Sequence, residues 1–89
     1  MDFISSMNQA RTSVENAVKG FLELNGLGNE FEALKAAALI NRLRSSGFLE
    51  QFLEYLDGLT NGVVDIVSKA KHLPLEKVHK SFEKYYYSL

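Results

Sequence analysis

The sequence predicts an all-α fold, a small four-helix bundle, on three observations. Apolar residues recur at steps of three and four over four separate stretches, which sets each group on one side of a helix. Glycine, serine, asparagine or proline punctuates the chain between those stretches. No alternation long enough for a strand, no internal repeat and no low-complexity tract interrupts the pattern. The expected helices cover about 2–24, 30–45, 48–71 and 74–88, in one domain spanning residues 1–89.

The first helix carries Phe3, Met7, Ala10, Val14, Ala17, Phe21 and Leu24 as a seam, broadened by Ile4, Val18 and Leu22. Asp2 suits its N-cap, because a carboxylate there accepts from free amides and meets the positive end of the helix dipole. Asn25-Gly26-Leu27-Gly28-Asn29 stops it, since glycine accepts the left-handed conformation that closes a helix.

The second helix has Asn29 as a natural N-cap, with Glu32 placed to complete a capping-box-like pair. Glu30 and Glu32 lead it and Arg42 and Arg44 trail it, as the dipole prefers. It has two apolar faces, one of Ala36, Leu39, Ile40 and Leu43, the other of Phe31, Leu34 and Ala38. Ser45-Ser46-Gly47 ends it.

The third helix organises the rest. Phe48, Phe52, Tyr55, Leu56, Leu59, Val63, Ile66, Val67 and Ala70 form its stripe, and Leu49, Leu53 and Val64 widen it. Gly58 and Gly62 are its weak point, each costing about 1 kcal/mol relative to alanine in a helix interior. One continuous helix, bent at most, is nevertheless expected to run through them, since Leu56, Leu59, Val63 and Val67 stay in phase across the pair, with two helices as the alternative. One turn apart, the two glycines also admit a closely packed neighbour. The fourth helix opens at Pro74, which suits a first helical position. Leu75, Val78, Phe82, Tyr85, Tyr86 and Leu89 make its apolar face, and Glu76 and Lys80 a favourable pair.

Composition excludes several functions. The absence of cysteine removes disulfides and thiolate metal sites and fits a reducing compartment. A net charge of −1, from ten basic and eleven acidic residues, lacks the basic excess of nucleic-acid or anionic-membrane binders. The longest apolar run, Ala36 to Ile40, is far short of the roughly 20 residues of a membrane span. No basic region followed by an apolar core opens the chain, so no signal peptide is expected and the expected location is cytoplasmic.

The helix lengths carry the functional expectation. At about 1.5 Å per residue, the first and third helices reach roughly 35 Å and the other two about 25 Å. The apolar stripes of the long pair run almost end to end. Either the third helix folds over near Gly58, or another chain covers the surplus, and such a surplus marks an association site. A homodimer or a partner-docked protein is the expectation.

Candidate chemistry is sparse. Glu76 and His79 share a helical face at the spacing of di-iron carboxylate bundles, and a symmetric dimer would supply the second copy, with Glu50 or Glu54 as further ligands. Lys77 and Lys80 oppose metal there. His79 also has lysines for a phospho-accepting role, but Val78 and Phe82 crowd it. A helix-turn-helix across Ser45-Ser46-Gly47 would give a recognition helix opening Phe48-Leu49-Glu50, apolar and acidic where phosphate contacts belong. Lys77, Lys80, Lys84 and the tyrosines resemble a single-strand-binding set only in composition. There is no nucleophile elbow, no cysteine nucleophile and no glycine-rich phosphate loop.

The expected function is therefore a small non-catalytic protein–protein interaction module, acting as an adaptor, inhibitor or regulator, without cofactor or metal and dimeric. A helical DNA-binding regulator is the alternative, and a metal-binding bundle the third. Tyrosine combines a large ring with a polar tip and is favoured at interfaces, so the candidate contact residues are Phe48, Tyr55, Tyr85, Tyr87 and Leu89. Phe52 reads better as core. Three successive tyrosines point three ways around a helix, and Tyr87 is the one expected outward.

Overall fold

Asp2 begins the fold by capping its first helix: its Oδ1 accepts from the Ser5 N–H at 2.7 Å. That hydrogen bond holds its carboxyl below the usual carboxylate range. The computed structural model describes residues 2–89. They form α1 (Phe3–Leu24), a 3₁₀ turn (Gly28–Glu30), α2 (Phe31–Arg42), α3 (Phe48–Lys71) and α4 (Leu75–Tyr87), with no strand among the described residues. The chain is an all-α four-helix bundle.

α1 ends as its glycine predicts. Gly26 has φ +73°, the Gly26 N–H donates to the Glu23 carbonyl, and the Leu27 N–H donates to the Leu22 carbonyl at 2.8 Å. This is a Schellman closure, and the Asn25 amide adds a bond to the Phe21 carbonyl.

α2 departs from expectation at both ends. The Asn29–Glu32 capping box does not form. Glu30 is the cap residue without a side-chain bond, and the 3₁₀ turn supplies carbonyls instead, Leu27 for the Glu30 N–H and Gly28 for the Phe31 N–H. The helix stops at Arg42 rather than Ser45, because the Arg44 and Ser45 amides tighten to carbonyls three residues back. Gln51 then donates its Nε2–H to the Ser45 carbonyl at 2.9 Å and ties the loop to α3.

α3 is continuous from Phe48 to Lys71, unbroken at Gly58 and Gly62. Both glycines face α2, which approaches closely: a methyl built at Gly58 would lie 3.1 Å from the Ala38 Cβ, and one at Gly62 would meet the Leu34 side chain. His72 ends the helix in the left-handed region at φ 55°, and the Leu73 N–H closes it on the Ser68 carbonyl. α4 starts one residue later than expected, with Pro74 as its extended cap residue, not its first helical one.

α1 and α3 run parallel, and α2 and α4 return antiparallel to them. Thus Met7 shares a cleft with Phe48, Leu34 meets Gly62 while Ala38 meets Gly58, and Phe82 stacks edge-on against Phe21 at 5.2 Å. Val18, Leu22, Leu59 and Val63 are fully buried at the centre. On α1 the core cluster runs from Val14 to Leu22, and on α3 from Tyr55 to Val67. The short helices cannot reach further. Between Phe3 and Ser13 only Met7 is buried, and between Phe48 and Glu54 nothing is. The long axis is 39 Å and the radius of gyration 13.3 Å, against about 12 Å for a chain of this length packed evenly. The excess lies in the projecting ends.

Candidate functional site

The unequal helices leave one end of the bundle open, formed by the start of α1, the end of α2 and the start of α3. Phe3 and Ile4 are 62% and 61% exposed, and Phe48, Leu49 and Leu53 are 67%, 49% and 54% exposed. These residues belong to stripes that are core one or two turns further on, so helix periodicity carries apolar side chains past the point where neighbours exist.

One side of this end is a cleft. Ile4, Met7, Phe48 and Phe52 line it, and Arg11 and Arg42 stand at its margin. Behind them, the Tyr55 hydroxyl donates to Glu15 Oε2 at 2.5 Å, and Glu15 Oε1 lies 3.7 Å from an Arg11 guanidinium nitrogen. Burial, and after it the Glu15 carboxylate that accepts the phenol proton, push the Tyr55 pKa well above its ordinary value. The other side is a leucine ridge on α3. Exposed Leu49 and Leu53 form it, with half-buried Leu56 at its foot, and Glu50, Glu54 and Asp57 line the shallow hollow beside it.

The Tyr55 bond yields a pH-dependent prediction. The folded state favours the neutral phenol, so its contribution is whole below about pH 10, where an unfolded tyrosine ionises, and declines as pH rises beyond that. Tyr55→Phe should cost about 1–2 kcal/mol at neutral pH. Urea unfolding at about pH 7 and about pH 10.5 should show the gap between the two proteins narrowing at the higher pH. A constant gap would mean that the hydroxyl contributes nothing through its proton.

The candidate contact residues are dispersed. Phe48 is exposed at the open end. Tyr55 is corrected to core: it is 3% exposed, because Glu15, forty residues away in sequence, satisfies its hydroxyl inside the fold. Tyr85 is half-buried, its ring 5.6 Å from that of Phe21 and its hydroxyl over Gly20, so it serves α1–α4 packing. Tyr87 and Leu89 are exposed at the end of α4, Tyr87 stacking edge-on against Tyr86 at 5.7 Å. Phe52 is half-buried on the cleft wall.

Glu76 and His79 are exposed and already engaged along α4. Glu76 pairs with Lys80 at 3.4 Å, and His79 Nδ1 lies 2.8 Å from Glu83. Among the described residues no group of three His, Asp or Glu side chains is placed to hold a metal ion. No helix of the described residues is long and apolar enough to cross a membrane.

Periodicity alone does not mark Arg11 and Arg42 as cleft residues, where the structure places them. The signal was the spacing of Arg11 four residues after Met7, which keeps it on the flank of the α1 seam. The apolar face of Ala36, Leu39, Ile40 and Leu43 is the other surprise. It points outward, with Leu43 75% exposed, while Phe31, Leu34 and Ala38 are buried. No protein-family model matches this chain, and no curated protein or solved structure matches it.

Proposed function

We propose that this chain is a non-catalytic protein–protein interaction module, an adaptor, inhibitor or regulator whose working surface is the open end of the bundle. The observation that carries this reading is the exposure of Phe3, Ile4, Phe48, Leu49 and Leu53 together on helices whose registers bury the equivalent positions elsewhere. Apolar side chains so grouped on a small protein mark an association surface. The absence of cysteine fits a reducing, cytoplasmic setting for it.

The helix-turn-helix alternative has less support, because the start of α3 presents Glu50, Glu54 and Asp57 where phosphates would lie. The test is quantitative capture by the wild-type protein, immobilised, and by Leu53→Glu. Leu53 is half exposed, so the variant should keep the wild-type circular dichroism while losing whatever the wild type retains stoichiometrically. Equal retention by both proteins would refute the assignment of this surface.

A further inference from the structure

The two sides of the open end are alike in being apolar and opposite in charge. The cleft of Ile4, Met7, Phe48 and Phe52 is edged by Arg11 and Arg42, and the ridge of Leu49, Leu53 and Leu56 by Glu50, Glu54 and Asp57. Among the described residues, none of the three ridge carboxylates has a cation within ion-pair distance, and Arg42 has no acid. No Lys or Arg occurs from Ser45 to Ser68, so the carboxylates have no partner along their own helix either. Like charges are thus gathered on each side: the three carboxylates and Arg42 have no opposite charge within ion-pair distance among the described residues, while Arg11 already faces Glu15.

We infer that the occupant of the open end is a second copy of this chain. The leucine ridge of one copy seats in the aromatic cleft of its partner, and Glu50 and Glu54 approach the arginines across the seam. This deepens, and rests on, the interaction-module reading above. The pairing is reciprocal, as a two-fold interface requires. Ridge and cleft are neighbouring flanks of α3, since Phe52 and Leu53 lie about 100° apart around it. A two-fold axis parallel to α3 sets each ridge against the other cleft. An antiparallel arrangement would set ridge on ridge and carboxylate on carboxylate.

The size is adequate. With a fully exposed large side chain at roughly 200 Å², Phe3, Ile4, Phe48, Leu49 and Leu53 leave roughly 600 Å² to bury. The charged margins bring the patch close to the ~800 Å² per partner of a standard interface. Electrostatic complementarity sets which flank meets which, and salt weakens it.

The experiment is sedimentation equilibrium over a wide concentration series with two charge-reversed proteins. Glu50→Arg with Glu54→Arg reverses the ridge; Arg42→Glu reverses one side of the cleft and leaves Arg11 and its Glu15 contact intact. Each alone should dimerise at least tenfold more weakly than wild type, while their equimolar mixture should recover much of the loss as a heterodimer, because both seams are then opposite in charge. Circular dichroism checks that each variant is folded. A folded wild type that stays monomeric at every concentration overturns self-association. If such a monomer still captures a different protein, and Leu53→Glu abolishes that capture, the interaction-module reading survives without it. A dimer that neither reversal weakens, or a mixture no tighter than its components, overturns the ridge-in-cleft pairing.

Discussion

Leu59→Ala should remove about 2–5 kcal/mol of stability, a large part of what a domain of this size possesses. Leu59 is fully buried where the stripes of α1 and α3 meet, beside Val18, Leu22 and Val63. Truncation there loses the transfer free energy of three carbons and leaves a cavity that helices on both sides hold open. In a thermal melt followed by circular dichroism, Tm should fall by about 10–30 °C. Leu53→Ala, six residues earlier on the same helix, is the control. Leu53 is 54% exposed, so its truncation should change stability by no more than about 0.5 kcal/mol while weakening association. Equal Tm losses from the two variants would mean that the start of α3 is packed within the monomer, contrary to the open end described above.

That contrast was half legible in the sequence. The span of α3 and its continuity follow from the phase that Leu56, Leu59, Val63 and Val67 keep across two glycines, and the structure has both. The stop after α1 follows from Gly26, a local feature with a local cause. The mismatch between long and short helices was likewise readable, because length needs only the breaks. What periodicity could not decide was which apolar face of α2 turns inward. Ala36, Leu39, Ile40 and Leu43 are as greasy as Phe31, Leu34 and Ala38. The inward face is the one whose small Ala38 fits against Gly58, with the Lys19 and Lys35 ammonium groups 5.9 and 5.3 Å from the Phe31 ring centre at its edge. Those are contacts between segments, and no window along one helix contains them. The burial of Tyr55 escapes the sequence for the same reason. An amphipathic side chain suits an interface or a core with a polar partner, and its partner Glu15 lies on another helix.

Gly58→Leu should separate the role of α2 from that of the core. The Gly58 position has the Ala38 Cβ at 3.1 Å and its Cα at 3.3 Å from where a methyl would stand, so a larger side chain meets backbone, and backbone cannot step aside without moving α2. Overpacking of this kind costs about 1–3 kcal/mol, and here the cost falls on a helix joined to α3 by the short Leu43–Gly47 loop. Replacing a helical glycine returns about 1 kcal/mol, so the net loss in urea unfolding should be about 0–2 kcal/mol once the two are set together. Ala38→Gly should recover part of it in a double-mutant cycle, with a coupling of about 1 kcal/mol, although the same change in the wild-type background costs stability. Displacing α2 also displaces Arg42 from the cleft margin. Gly58→Leu should therefore weaken association at protein concentrations where circular dichroism still reports a folded chain, though it alters no residue of either surface. Undiminished association in that variant would show that Arg42 and the end of α2 take no part in holding the partner.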